Sequence, residues 1–257
     1  KELRKNKGYT TIEFRKKLSR IAFTETAYYD SVISNYFNKI SDTVFPKKKV
    51  IHANLVETPR YGENPHQKSG IYSKNPAMNI KQIHGKKLSY NNYNDIFSAL
   101  TITKSLPKNC GTVIVKHANP SGVSIKKKHI ESYKAAVECD PISAFGGIVS
   151  CNYNLTKNLA TEISKLFLEV IIANKFDSAA IKILKRKKNL RLIDVSNYSI
   201  KETLQFTSSN EEILIQSGDI NKFSNKDFKI VSKKKPNIQQ MKDLIFAFNV
   251  CRYVKSN

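Results

Sequence analysis

Apolar residues recur every three to four positions along the first part of the chain, at Ile12, Leu18, Ile21, Ala22 and Phe23, and then at Tyr28, Val32, Ile33 and Tyr36. That period predicts helix from Thr11 to Ile40, as two helices or as one broken around Thr24-Glu25-Thr26. A basic stretch, Pro46 to Lys49, then reads as a linker, and Val50 to Val56 opens a second region. There strand-like runs (Gly70–Ser73, Val113–Lys116, Gly147–Ser150, Val170–Ala173) alternate with helical patterns near Ile96–Leu106, Lys128–Val137, Asn158–Phe167 and Ser178–Lys187. Alternation of this kind predicts an α/β fold with a largely parallel sheet. A further strand, Glu212–Gln216, precedes charged loops. Pro236 then introduces a helix from Asn237 to Val250 with a stripe of Met241, Leu244, Ile245 and Phe248.

Composition narrows the class. A chain of 257 residues with 40% hydrophobic content can bury a sizeable core and is too apolar to be disordered. No apolar run approaches the roughly 20 residues of a membrane span, and no signal-peptide pattern opens the sequence. Cys110, Cys139, Cys151 and Cys251 have no paired spacing. Cys110 and Cys151 sit beside apolar strand-like runs, so buried free thiols of a reducing cytosol are expected rather than disulfides or a zinc site. A His-x-Glu with a downstream Cys-x-x-Cys is missing, so a deaminase-type zinc centre has no ligands. The net charge of +23 would suit a polyanion partner. Yet it sits mostly on lysine, in short runs such as Lys47-Lys48-Lys49 and Lys126-Lys127-Lys128, while arginine is scarce. Codon drift in an AT-rich genome accounts for that bias better than a nucleic-acid surface does. The chain starts without methionine and stops just after a helical pattern, which predicts an internal piece of a longer protein.

The densest candidate chemistry is Lys116-His117-Ala118-Asn119-Pro120-Ser121-Gly122. It follows the buried-strand pattern Gly111–Val115, and Asn-Pro-Ser-Gly predicts a sharp turn just beyond the pair. Histidine moves protons near neutral pH, and lysine can neutralise an oxyanion. Taken alone, the pair fits equally a surface lysine and a loop histidine. Three further clusters accompany it: Arg60-Tyr61-Gly62-Glu63-Asn64-Pro65-His66-Gln67, Leu88-Ser89-Tyr90-Asn91-Asn92-Tyr93-Asn94-Asp95, and Asp140-Pro141-Ile142-Ser143-Ala144-Phe145-Gly146-Gly147. Tyr253-Val254-Lys255-Ser256-Asn257 ends the chain. Each alone is also ordinary turn chemistry.

Together and in this order, these clusters resemble one family, the bifunctional purine biosynthesis protein AICAR transformylase/IMP cyclohydrolase, from about Thr10 to Asn257. The resemblance implies a cytidine-deaminase-like α/β transformylase architecture over residues 46–257, incomplete at its C-terminal side. Residues 1–45 would be the closing helices and linker of the cyclohydrolase domain. It implies formyl transfer from 10-formyltetrahydrofolate, as cosubstrate, to AICAR ribotide, in a cytoplasmic homodimer with composite sites and no metal. His117 would be the general base and Lys116 the oxyanion stabiliser. Arg60 and Tyr61, Asn92, Phe145 with Gly146, and Asn257 would bind the ribotide, Arg60 through its phosphate. Asn64, His66 and Asn91 read as turn stabilisers. Two positions depart from the family pattern: Thr156 stands where an acidic residue is usual, and Asn210-Glu211-Glu212 replaces a Gly-rich lead. The cyclohydrolase site and further transformylase contacts would lie outside the chain, so the fragment alone is expected to be inactive. The readings of another class are a basic α/β module that binds nucleic acid or another polyanion, and an inactive truncated remnant.

Overall fold

The computed structural model describes residues 1–75, 78–199 and 204–255, and these divide into two compact units. The first consists of Lys1–Thr58 with Gly70–Ala77, and the second of Pro59–Ser69 with Met78–Asn257.

In the first unit a short helix α1 (Glu2–Lys5) precedes α2 (Ile12–Ile40), which runs 29 residues without a break. Thr24 and Thr26, the expected breakers, return their hydroxyls to the carbonyls of Arg20 and Ala22 and stay helical. Thr11 caps the helix by accepting the Phe14 amide at 3.2 Å. Asn35 donates to the Val50 carbonyl at 3.1 Å, and Asn54 to the Tyr28 hydroxyl at 2.9 Å. A small antiparallel pair, β1 (Asn54–Glu57) and β2 (Ile71–Ser73), completes the unit.

The main sheet of the second unit has six strands, accompanied by five helices. In chain order they are β3 (Lys81–His84), α3 (Tyr90–Ser105), β4 (Gly111–Lys116), β5 (Asn119–Ile125), α4 (His129–Cys139), α5 (Pro141–Ala144), β6 (Ile148–Leu155), α6 (Lys157–Ile163), β7 (Val170–Phe176), α7 (Ser178–Leu184) and β8 (Arg191–Asp194). The sheet order is β3-β8-β7-β6-β4-β5. Only the β6–β7 and β7–β8 pairings are parallel, and the other three are antiparallel. The sheet is therefore mixed rather than largely parallel. Parallel neighbours need a crossover helix, and here only α6 and α7 serve as such. The other joins include a hairpin, which periodicity did not reveal.

Helices cover both faces, which explains why Thr112 to Val115 is buried throughout instead of alternating. Alternate residues of the central strands (Ile114, Val149, Cys151, Ile171, Leu192) pack with Tyr133 and Ala136 of α4, Leu159 and Ile163 of α6, and Leu184 of α7. The other face carries α3, whose Ile96, Ala99 and Leu100 are fully buried. Of the cysteines, Cys151 alone is buried. Cys110 is half-buried, Cys139 and Cys251 are exposed, and all are free thiols. The strand-like runs beside Cys110 and Cys151 predict burial of both; Cys151 meets that expectation, whereas Cys110, just before β4, is only half-buried.

Beyond the sheet, β9 (Leu204–Ser209) and β10 (Glu212–Ser217) form a two-stranded hairpin, with Asn210 at φ +51° in its turn. Helix α8 (Ile238–Cys251) begins at a capping box in which Asn237 and Gln240 exchange side-chain and backbone bonds. Among the described residues no helix is long and apolar enough to cross a membrane.

Candidate functional site

The turn after β4 is not where Asn-Pro-Ser-Gly suggested. Asn119 pairs with Lys116 and Pro120 with Val115, so that stretch is the start of β5. Strand β5 is an edge, where a proline breaks no ladder, and a bulge at Ser121 absorbs the register shift. The turn itself is His117–Ala118, a two-residue hairpin with both residues left-handed, at φ +54° and +57°. Such a turn normally takes Asn-Gly, and each non-glycine residue in this region costs about 1–2 kcal/mol.

Asp95 of α3 compensates. Its Oδ1 accepts the Ala118 amide at 2.6 Å. Burial raises the Asp95 pKa from the ordinary aspartate value. The Ala118 amide and the charge of His117 pull against that rise, and the charge of Glu169 adds to it. With the turn gripped from below, His117 holds an exposed imidazole at the tip of the hairpin.

Lys116, one residue earlier, reaches sideways. Its Nζ donates to the Phe145 carbonyl at 3.1 Å. Phe145 caps the short helix α5, which Asp140 starts by accepting the Ser143 amide at 2.9 Å. Gly146 follows at φ +73°, a left-handed conformation that suits glycine, and its amide donates to the Phe167 carbonyl at 2.9 Å. The rings of Phe145 and Phe167 lie 5.2 Å apart.

Asn92 sits one turn before Asp95 on the same face of α3. It is buried, and its amide is already committed to structure. Ser89 Oγ accepts the Asn92 amide N–H, the Ser89 N–H donates to Asn92 Oδ1, and Asn92 Nδ2 donates to Glu169 Oε2 at 2.9 Å. Glu169 in turn stands 3.6 Å from Arg191 Nη1. One N–H of the Asn92 amide is left for a ligand.

The fold thus gathers Lys116, His117, Phe145, Gly146 and Asn92, and adds Asp95 and Glu169, which sequence reasoning passed over. Asp95 was visible as the i+3 neighbour of Asn92. Glu169 gave no signal, because it joins the site only through strand order. Thr156, which departs from the acidic residue usual in the resembled family, is exposed at the start of α6. Arg60 and Tyr61 lie on a loop closed by the Gly62 amide on the Gln67 carbonyl and tied to α3 by Asn91, which donates to the Glu63 carbonyl at 3.2 Å. Among the described residues neither side chain hydrogen-bonds to the Lys116–His117 cluster. Asn91 takes the structural role expected of it. Asn257 lies outside the described residues, although Lys255 donates its backbone N–H to Asn119 Oδ1 at 2.9 Å. Among the described residues no group of three or more His, Cys, Asp or Glu side chains is placed to hold a metal ion.

A base at a hairpin tip, an ammonium beside it and a supporting carboxylate can together move a proton and meet a developing negative charge. The description "AICARFT/IMPCHase bienzyme" belongs to a family model that matches residues 1–257. The bifunctional purine biosynthesis protein PurH of Parvibaculum lavamentivorans is 42% identical over 260 residues, 98% of this chain and 48% of that protein. The corresponding protein of Oceanobacillus iheyensis is 38% identical over 96% of this chain and 49% of its own length. That of Rhizobium rhizogenes is 40% identical over 100% and 49%. The chain spans about half the length of the curated relatives it matches.

Proposed function

The chain belongs to the AICARFT/IMPCHase bienzyme family, and on that premise we propose that it carries the proton-transfer pair of a formyl transferase of purine biosynthesis. Residues 1–45 serve as closing helices and linker of the cyclohydrolase domain, and residues 46–257 as the first part of a cytidine-deaminase-like transformylase domain. The complete protein, a cytoplasmic homodimer, moves the formyl group of 10-formyltetrahydrofolate to the 5-amino group of AICAR ribotide and then closes the ring to IMP. The observation that supports this reading best is the hairpin that Asp95 holds, with Lys116 and His117 side by side at its tip.

The acceptor amine is weak, because its lone pair is delocalised into an imidazole ring bearing a carboxamide. Its nitrogen attacks the formyl carbon, a C–N bond forms, and the carbonyl electrons move onto oxygen. His117 takes the proton that the attacking nitrogen sheds. Lys116 has three N–H donors, so it can keep its bond to the Phe145 carbonyl and still meet the oxyanion. Collapse breaks the bond to the folate nitrogen, which leaves with a proton as tetrahydrofolate. Arg60 takes the ribotide phosphate through its planar fork, and Tyr61, Asn92 and Asn257 line the ribotide. Phe145 and Gly146 pack around it.

The test is a transformylase assay of the complete protein with His117→Ala. A fall in kcat of about 10²- to 10⁴-fold, with ribotide affinity retained, is expected for loss of a general base. Turnover like that of the parent would refute the assignment.

A further inference from the structure

Where the segment after β3 meets the α6–β7 and α7–β8 loops there is a cavity of about 450 Å³, walled by Lys86, Phe167, Glu169, Lys187, Lys188 and Arg191. Four cations thus face one carboxylate. The backbone is shaped to bring them there. Gly85 lies at φ +95°, and a Cβ at that position would stand 2.2 Å from the Leu190 carbonyl oxygen. Only glycine lets the turn bearing Lys86 lie flush on the segment that carries Lys188 and Arg191. Lys187 is fixed at the wall by donating to the Leu166 carbonyl at 2.9 Å.

Arg191 is the informative member. Its side chain is only 15% exposed, and Glu169, at 3.6 Å from Nη1, is beyond hydrogen-bond length. Its Nε is buried with no hydrogen-bond partner among the described residues. Buried donors are nearly always satisfied, and a planar guanidinium fork pairs with two oxygens of a carboxylate or a phosphate. The Phe167 ring forms an apolar wall and meets the ring of Phe145. The cavity therefore adjoins the Lys116–His117 cluster and shares Glu169 with it.

We propose that this cavity is an oxyanion subsite that takes the carboxylate or phosphate of a small molecule, with Arg191 as the directional donor and Lys86 and Lys188 as the attracting charges. The assignment does not use the formyl-transfer reading, and its failure would leave that reading standing.

The test is calorimetric titration of the chain with pyrophosphate and, separately, with N-benzoylglutamate, at physiological salt. Saturable one-to-one binding of at least one probe is expected. A preference for pyrophosphate assigns a phosphate, and a preference for the benzoyl dicarboxylate assigns a carboxylate with an aromatic body. The Lys86→Ala/Lys188→Ala double variant, both exposed positions that the fold does not need, should weaken binding about tenfold or more, and so should Arg191→Lys. Reversing Lys126, Lys127 and Lys128 to Glu should leave it within about twofold. Three results would overturn the proposal: no saturable binding of either probe, binding indifferent to the Lys86/Lys188 and Arg191 changes, or equal loss in the Lys126–Lys128 variant, which would mean diffuse attraction to a basic chain.

Discussion

Asp95 Oδ1 accepts the backbone N–H of Ala118 at 2.6 Å, so a carboxylate on helix α3 anchors the hairpin turn on which His117 stands. The turn is left-handed at two residues that do not favour it, and this bond offsets the strain. The position of the imidazole is thereby set from a helix, more than twenty residues earlier in the chain. Removing the carboxylate should release the turn while leaving the sheet intact. Asp95→Ala leaves the Ala118 amide without its acceptor and should destabilise the chain by about 1–3 kcal/mol. Amide exchange of His117 and Ala118 should speed up far more than that of Val113 or Ile114. Uniform acceleration across β4 would show that Asp95 supports the sheet as a whole rather than the turn.

The same carboxyl predicts a pH dependence. Burial is the largest influence on Asp95 and raises its pKa. The folded chain therefore keeps this proton at pH values where the unfolded chain has released it. Across that window the unfolded state binds fewer protons, so stability falls as pH rises from about 4, the ordinary aspartate pKa. Above the folded pKa the loss is complete and the curve is level. Asp95→Asn carries no such group. Its stability relative to the parent should improve with rising pH through the window and then stay constant, as read from urea midpoints at several pH values. A difference independent of pH, or one that moves the other way, contradicts the shift.

Proton transfer and charge stabilisation can be separated by substitution. Asparagine tolerates left-handed backbone, so His117→Asn should keep the hairpin, lower kcat of the complete protein by about 10²-fold or more, and erase the acidic limb of its pH profile. Lys116→Met should lower kcat on a similar scale while keeping that limb. If both variants preserve the limb, the titrating base lies elsewhere.

Thiol reactivity should follow burial. Cys151 is fully enclosed, and burial pushes its pKa up to about 11. Cys139 and Cys251 are exposed. Iodoacetamide at mildly alkaline pH should modify those two in the native chain, and Cys151 only after denaturation, because the thiolate is the nucleophile. Peptide mass spectrometry reads the order directly. Early labelling of Cys151 would mean that the β6 core opens under native conditions.

The lysine runs should matter little to transfer. Lys128 pairs at the surface with Glu131, at 2.9 Å, and both side chains are well exposed. Reversing Lys126, Lys127 and Lys128 should leave transformylase turnover of the complete protein within a few-fold at physiological salt, where charges more than about 8 Å apart are largely screened. A large loss of turnover would give the +23 charge a functional role.

Local periodicity determined most of the helices and the central strands. A three-to-four spacing or a β-branched run records which neighbours a residue buries, and that is written along the chain. It also placed Lys116 and His117 at the end of a strand, but it left Asn92 in the lead-in to a helix expected from Ile96, whereas α3 starts at Tyr90. Three things needed the tertiary structure. Strand order did, because a run such as Val170–Ala173 looks alike beside a parallel or an antiparallel neighbour, and only the connections decide which. The turn did, since Asn-Pro-Ser-Gly outranks His-Ala by local propensity, and only the Asp95 carboxylate, supplied from another element, reverses that order. The Glu169 side chain did too: it lies 77 residues from Asn92, with no sequence pattern linking them, and sheet order alone brings the two within 2.9 Å. Short-range sterics are legible in a sequence because they act between neighbours. The partners of a charge or an amide are chosen by packing between distant segments, and those had to be seen.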